Sequence, residues 1–342
     1  MQNLKYCKTC LATDTRPGEV FINSICLGCR LTINNNSKDS KRLTILKKAL
    51  VEKNIYSSKN AILGVSGGKD STRQALWLRD VLKINPLLVS LNYPPGQINE
   101  RGCRNLSNLI KKGFNTLTIS LSPVSWKKLM LHGFINYGNF LKSTEQALYS
   151  CVPRIAINFN RPLIFNGEDP GLREVSVQDK NDGWNNNSLR NLNTLKDNTW
   201  IFELLKEYNS SPYFYHYPSE SEFNKSNLTI VDLGWVMQNW TYSYNGISAV
   251  LSGLESRKKS EVKDGDLSLF SALDEDFVPI NQMIKYFKFG YSKTTDFINE
   301  EIRLGKISRE DSIEIVKTYD GICSDKTIEK FCKYLEIDND YF

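Results

Sequence analysis

An uncharged apolar run, Ala61-Ile62-Leu63-Gly64-Val65, passes directly into Ser66-Gly67-Gly68-Lys69-Asp70-Ser71, and the TRQALWLRDVLK that follows has the apolar spacing of a helix. A short run without polar interruption suits a strand covered on both faces, which calls for parallel neighbours and crossover connections. Strand, glycine turn and helix in this order leave backbone N–H groups at the helix N-terminus. Unpaired donors and the helix macrodipole favour an anion there, so phosphate is the expected ligand. The P-loop of ordinary NTPases is excluded by spacing: it needs four residues between its glycines and then Lys-Ser/Thr. Here Gly64 and Gly68 enclose three, and Asp70 follows the lysine. PLLVSLNY, FNTLTISLS and RPLIFNGEDP read as further strands, separated by helical stretches such as ERGCRNLSNLIKKG. The expected fold class is α/β, a parallel sheet flanked by helices. Ligands of open parallel sheets lie beyond the carboxyl ends of the strands, so Asn92, Ser120 and the Gly167-Glu168-Asp169-Pro170 turn are expected to face the same ligand.

A carboxylate beside phosphates is repulsive unless it caps the helix or holds a cation. Asp70 is read as a magnesium ligand and Glu168 as a second one; for Glu168 and Asp169 a solvated turn is the competing reading.

The eight cysteines divide sharply. Cys7, Cys10, Cys26 and Cys29 form two C-x-x-C knuckles, CKTC and CLGC, 15 residues apart, whereas Cys103, Cys151, Cys323 and Cys332 stand alone. Each knuckle can turn two thiolates toward one ion, and four sulfurs complete the tetrahedral shell of structural Zn2+. Disulfides and an iron-sulfur cluster are the weighed alternatives. With all four sulfurs used by the fold, no position is left for a substrate, and the role is structural. EVFINSICLGC reads as a strand entering the second knuckle. The polar NNNSKDS at 34–40 reads as a linker, followed by a helix in KRLTILKKALVEK, so a ribbon over 1–37 is expected ahead of an α/β domain over 38–255 and a helical region over 256–342.

Hydrophobic residues make up 40% and charged residues 24% of 342, ordinary usage for a folded chain. The 44 Lys and Arg against 38 Asp and Glu are interspersed, which suits a small anionic ligand at least as well as a nucleic acid. With two histidines, His132 and His216, chemistry built on several imidazoles is nearly excluded. No apolar run reaches the roughly 18 residues needed to span a bilayer, and the N-terminus lacks a secretory apolar stretch, so a cytoplasmic protein without membrane insertion is expected.

SGGKDS resembles the signature of the PP-loop ATP pyrophosphatases, an adenine nucleotide alpha-hydrolase-like fold, which cleave ATP between the α and β phosphates and adenylate a substrate oxygen. The resemblance implies that Ser66, Gly67, Gly68 and Ser71 cradle pyrophosphate and that Lys69 offers it a charge, with Lys69, Asp70 and Glu168 as catalytic candidates and Asn92 and Gly167 among the ATP-binding ones. Together with the four-cysteine ribbon, the Gly-Glu after a strand, NERGCRNLSNLIKKG, DLGWVMQNW and MIKYFKFGYSKTTDFINEEIRLGKISREDSIEIVKTYDG, the chain resembles the N-acetyl sugar amidotransferases of bacterial surface-polysaccharide (LPS O-antigen) synthesis. It departs from their pattern at Asp169, usually Asn, and at Lys293, often Arg.

That resemblance implies ATP and Mg2+ as cofactors, a nucleotide-activated sugar as substrate, and adenylation of an N-acetyl or carboxylate oxygen that ammonia then displaces. It also implies a separate glutaminase and a barrel-type ammonia-channelling subunit, because the chain carries neither an N-terminal cysteine nucleophile nor a recognisable Cys-His-Glu setting. The rival reading is a tRNA-thiolating PP-loop enzyme; the unpaired remaining cysteines count against it, and nucleic acid is a disfavoured partner. A second rival is a ribbon protein that only binds nucleotide.

In the C-terminal block, Phe297, Ile298, Ile302 and then Gly305 describe a helix ended by glycine, and Ser308 to Asp311 a capping box for the next. Ile328, Phe331, Cys332 and Leu335 share a helical face, which makes Cys332 a core residue. Lys285, Lys288 and Lys293 alternate with Tyr286, Phe287, Phe289 and Tyr291. This pattern serves a sugar diphosphate, stacked RNA bases, or a buried aromatic face with solvated lysines; Lys288 and Lys293 are the substrate-contact candidates.

Overall fold

The computed structural model describes residues 4–34, 40–167, 193–264 and 267–342. Glu168, Asp169 and Pro170, and most of the 34–40 linker, lie outside the described residues.

Five parallel strands form one sheet in the order β3-β2-β1-β4-β5: β1 Ala61–Gly64, β2 Leu87–Asn92, β3 Thr116–Ser120, β4 Leu163–Asn166 and β5 Thr229–Asp232. β1 is central, with Leu63 opposite Leu88 on one side and Phe165 on the other. Alternation sorts the strand residues to two faces. Ile62, Val89, Ile164 and Ile230 enter one apolar cluster with Trp126 and Leu129 of α5 (Pro123–Tyr137) and Cys151 and Ile155 of α6 (Lys142–Asn158). Ala61, Leu63, Leu88, Phe165 and Val231 enter the other, with Leu46 and Leu50 of α2 (Ser40–Glu52), Ala75 and Leu78 of α3 (Lys69–Asp80) and Leu109 of α4 (Glu100–Lys111). Both faces of the sheet are covered along β1, β2, β4 and β5, which is why those strands contain almost no charge, whereas the edge strand β3 is partly exposed.

Strand order reverses between β1 and β4, because the chain winds out from β1 through β2 to β3 and then returns to β4 beside β1. The crevice at such a reversal is where open α/β sheets bind ligands. The loop after β1 is the one that carries Ser66 to Gly68.

Two helices, α7 (Thr199–Glu207) and α8 (Glu220–Lys225), precede β5, and after it the chain is mainly helical, beginning with the short α9 (Leu233–Val236). α10 (Tyr242–Leu251) packs on α3, and α11 (Val278–Phe289), α12 (Lys293–Arg303), α13 (Arg309–Tyr319) and α14 (Asp325–Leu335) complete the chain. Phe331, Cys332 and Leu335 of α14 are buried in the sheet's first cluster, as their spacing requires, with Phe331 against Phe134, Phe140 and Phe277. α12 ends at Arg303 with Gly305 in the left-handed region (φ 69°), and Ser308 accepts from the Asp311 N–H to start α13.

Asp320 anchors the other end of α12. Its carboxylate accepts from the Ser292 N–H (3.0 Å), the Thr295 N–H (3.2 Å), the Thr295 hydroxyl (2.6 Å) and the Ser292 hydroxyl. Removing a buried acceptor with this many donors leaves them unsatisfied. Asp320→Ala is therefore expected to lower unfolding free energy by about 2 kcal/mol, read as a lower midpoint in urea with an unchanged slope.

One expectation is corrected. EVFINSICLGC is not a strand: Ile22 and Ile25 make a single antiparallel bridge around Asn23 and Ser24, both left-handed (φ 51° and 61°), and a helix α1 (Leu27–Asn34) begins inside the second knuckle. Two consecutive positive-φ residues form a hairpin turn, and that turn returns Cys26 toward Cys7.

Candidate functional site

Gly67 is fixed by two independent constraints. Its φ of +81° disfavours a side chain, and a Cβ would stand 2.7 Å from the Leu106 backbone nitrogen. Gly68 is the N-cap of α3, so the Lys69, Asp70 and Ser71 amides open the helix, with Ser66 Oγ accepting from the Gly68 N–H (3.4 Å) and the Ser71 hydroxyl donating to the Gly68 carbonyl (3.2 Å). At Gly167, immediately after β4, a Cβ would stand 2.0 Å from the Gln74 amide nitrogen, so a side chain there needs the Gln74 side chain to move. The turn after β1 and the start of the turn after β4 thus flank the reversal crevice. Asn92 and Ser120 end β2 and β3 in register, with Asn92 Oδ1 held by the Ser90 hydroxyl (2.7 Å).

Lys69 is 7% exposed. Its ammonium donates to Asp70 Oδ2 (2.5 Å) and lies over the Tyr242 ring, 4.4 Å from the centroid. The other Asp70 oxygen accepts from Asn245 Nδ2 (2.6 Å), and Asn245 Oδ1 in turn accepts from Arg73. Burial pulls the Arg73 guanidinium below its ordinary range, countered by Tyr244 and Asp70. The carboxylate, whose side chain is 39% exposed, sits in the first turn of α3, where a negative charge is favoured by the helix dipole.

α10, which supplies Tyr242 and Asn245, is itself held by α12. Glu300 accepts from the Tyr242 N–H (2.6 Å) and Glu301 from the Ser243 hydroxyl (2.8 Å), two carboxylates at a helix N-terminus. Burial raises the Glu300 carboxyl above its usual range, against the Tyr242 N–H, Arg303 and Lys69. Lys293, at the start of α12, also faces the Tyr242 ring, 5.1 Å from its centroid. Lys288 does not join this group: it is on α11 and donates to the Tyr137 carbonyl (2.7 Å). Lys285 pairs with Asp296 (3.0 Å) and lies over Tyr291.

Tyr242, Asn245, Arg73 and Glu300 escaped the sequence reading, as did the Asn166–Asp232 hydrogen bond (3.1 Å) at the carboxyl ends of β4 and β5. The one available signal was DLGWVMQNW running into an uncharged helix; nothing local links it to Asp70. A cavity of about 320 Å³ lined by Lys59, Asn85, Asn115 and Arg161 among others lies at the amino ends of the strands, at the opposite end of the sheet from the Ser66–Ser71 turn.

The four ribbon thiols converge. All four sulfurs lie within 4.8 Å of one another and are buried, with Cys10 and Cys26 Sγ 3.6 Å apart. Tetrahedral Zn–S bonds of about 2.3 Å put sulfurs about 3.8 Å apart, so the cluster fits that ion. Backbone N–H groups of Thr9, Ala12, Cys26 and Cys29 point at Cys7, Cys10, Cys7 and Cys26 Sγ at 3.3 to 3.4 Å, the outer shell that stabilises thiolate ligands. Hydrogen bonds with Cys10 and Cys29 hold the Cys26 thiol far below its ordinary range, while those with Cys26 and Cys29 raise Cys10. The ribbon is seated on α12 and α13: the Leu11 N–H donates to Asn299 (2.7 Å), Arg309 donates to the Cys10 carbonyl (3.1 Å), Arg16 pairs with Asp296, and Ile302 packs on the cysteine cluster.

Residues 265–342 match the family model described as LPS biosynthesis protein WbpG-like, C-terminal domain. That segment comprises α11 to α14, including α12, which binds both the four-cysteine segment and α10. The match covers 78 of the 342 residues and makes that C-terminal segment similar to a domain of lipopolysaccharide biosynthesis proteins. A search of curated proteins gave no match. Among the described residues no helix is long and apolar enough to cross a membrane.

Proposed function

From a chain that carries a WbpG-like C-terminal domain, we propose an ATP-dependent amidotransferase of surface-polysaccharide synthesis, acting through a PP-loop. In this reading residues 1–37 form the zinc ribbon, 38–255 the ATP-binding domain and 256–342 the substrate and partner region. The observation that carries it is the turn Ser66 to Ser71, with Gly67 forced and three amides opening α3, at the reversal point of a parallel sheet whose adjoining helical segment is similar to that biosynthetic domain.

The acetamido or carboxylate oxygen of a nucleotide-activated sugar attacks the α-phosphorus of ATP. The bond to the β-phosphate bridging oxygen breaks, and pyrophosphate leaves. Ammonia adds to the activated carbon and the C–O bond breaks with AMP carrying away the substrate oxygen; nitrogen sheds one proton to reach the carboxamide, or two are lost from the protonated imidate to reach the neutral amidine. An acetamidino or carboxamide product remains. No protein nucleophile is needed. The loop amides and Lys69 neutralise charge on the departing pyrophosphate, and the crevice holds the two reactants in line. Asp70 offers hard oxygen donors suited to Mg2+, which supplies further charge neutralisation between the phosphates. The second magnesium candidate, Glu168, lies outside the described residues.

Ammonia is assigned to a glutaminase partner with a barrel-type conduit. Both imidazoles of this chain are engaged with aromatic rings: His132 stacks on Trp200 (4.9 Å) and His216 on Phe202 (4.1 Å).

The test is to incubate the protein with ATP, Mg2+, ammonium and a panel of UDP-N-acetyl and uronic sugars. The expected outcome is stoichiometric AMP and a sugar nucleotide lighter by about one mass unit, oxygen having been exchanged for NH. Thiolation of tRNA by the protein with a sulfur donor, or ATP bound but never cleaved with ammonium and sugars present, overturns the assignment.

A further inference from the structure

Arg73 follows Asp70 by three residues, on the same face of α3, and the two charges are joined through the buried amide of Asn245 on α10. Arg73 gathers the segment that leads into α10. Its guanidinium donates to the carbonyls of Gln238 (2.5 Å) and Asn239 (2.9 Å) and to Asn245 Oδ1, and it lies over the Tyr244 ring, 4.5 Å from the centroid. Asn245 is 1% exposed, and its Nδ2 donates to Asp70 Oδ1 at 2.6 Å. The chemistry of the two neighbours leaves this amide one orientation. A guanidinium only donates and a carboxylate only accepts, so the Asn245 oxygen must face Arg73 and its nitrogen must face Asp70. Leucine has a similar volume and neither function, and aspartate would set a second anion against Asp70.

We infer that Asn245 and Arg73 are positioning residues that set the Asp70 carboxylate for a divalent cation at the phosphate loop, the amide passing the fixed orientation of the guanidinium on to it. This rests on the nucleotide reading of Ser66 to Ser71 and deepens it: α10, and not the loop alone, prepares the metal ligand. A carboxylate whose side chain is 39% exposed samples several rotamers unless a donor holds it. Here Oδ1 is held by Asn245 and Oδ2 is turned to Lys69, and each oxygen retains a further lone pair for a cation. Ordering already done in the fold does not have to be repeated when the ion binds, so the relay acts on metal affinity although neither of its members touches the metal.

The test is titration calorimetry of the full chain with inorganic pyrophosphate in a chelator and with manganese pyrophosphate, Mn2+ standing for Mg2+ so that its electron spin resonance signal reports the bound ion. Asn245→Leu is expected to weaken manganese pyrophosphate about tenfold or more, the usual cost of losing a residue that orients a metal ligand, while metal-free pyrophosphate binds as it does to the wild type. Arg73→Lys keeps the charge and lacks the planar fork. It is expected to weaken manganese pyrophosphate by a smaller factor when made alone and to add nothing to Asn245→Leu, because the two side chains act through one amide. If the wild type binds both ligands and the variants bind manganese pyrophosphate equally well, the positioning role is wrong and the nucleotide reading stands. An Arg73→Lys effect of the same size with and without Asn245 overturns the relay, as does a wild type whose pyrophosphate affinity manganese leaves unchanged. Parallel loss of metal-free pyrophosphate in either variant marks a damaged loop and equally overturns the assignment. A wild type that binds neither ligand removes the nucleotide reading itself.

Discussion

Under the proposed chemistry, Asp70→Asn is expected to lower the rate of AMP formation by about 10²- to 10³-fold while the protein stays folded, the loss that follows when one preorganised charged group is removed from a phosphoryl-transfer site. Asp70 has two tasks that need the anion. One oxygen accepts from Asn245, which ties the loop to α10, and the other pairs with Lys69. An asparagine amide can still accept from one of these donors but presents N–H to the other, so either the loop tie or the lysine's orientation is lost. It also loses most of its value as a Mg2+ ligand. The stability cost is smaller, about 1 kcal/mol, because the pair is partly exposed and solvent screens it. Rate and urea midpoint should therefore separate: a large fall in turnover that raising Mg2+ recovers only in part, beside a small shift in midpoint. A variant that turns over at the wild-type rate excludes Asp70 from the chemistry.

What local sequence encodes is legible and what tertiary contact encodes is not. The apolar run before Ser66 announced a buried central strand because a charge there cannot be solvated, and β1 is fully buried through Ala61, Ile62 and Leu63. Two C-x-x-C pairs announced a four-sulfur cluster because the knuckle geometry is contained within four residues. Ile328, Phe331, Cys332 and Leu335 announced a core-facing helix by spacing alone. Asn245, by contrast, reaches Asp70 across 175 residues, and Asn299 reaches Leu11 across 288, with no pattern in either segment to couple them. The reading of Lys288 and Lys293 shows the same limit: both lie in one aromatic-rich stretch, but the left-handed Gly290 ends α11 and redirects the chain. Only Lys293 then arrives at Tyr242. The strand read into EVFINSICLGC failed because apolar residues there serve a turn, with Asn23 and Ser24 supplying positive φ that alternation cannot reveal.

Zinc is the ion proposed for the four-cysteine cluster, and chelating it has the widest expected consequence. The ribbon's apolar cluster consists chiefly of the four cysteines themselves, with Ala12, Phe21, Ile25 and Ile302 around them, too little to hold a fold without the ion. Apparent binding free energies of structural zinc, about 10 to 16 kcal/mol in small domains, are folding free energy for such a unit. One zinc per chain is expected by elemental analysis, and its removal, or Cys26→Ser, is expected to abolish hydrogen-exchange protection at Ala12 and Cys29. The loss does not stop at the ribbon. Leu11 binds Asn299, the residue before Glu300; Arg16 binds Asp296; and Ile302 buries itself against the cysteines, so α12 loses one side of its packing. Glu300 is then less firmly presented to Tyr242, the ring on which Lys69 rests, and under the proposed reading pyrophosphate affinity is expected to fall along with the ribbon's protection. Glu300→Gln separates the two effects: it disturbs the Tyr242 contact and weakens pyrophosphate binding while zinc content and ribbon protection stay at wild-type levels. Metal-free protein that keeps full protection at Ala12 and Cys29 and binds pyrophosphate as tightly as before contradicts both the structural role of the ion and its mechanical link to the loop.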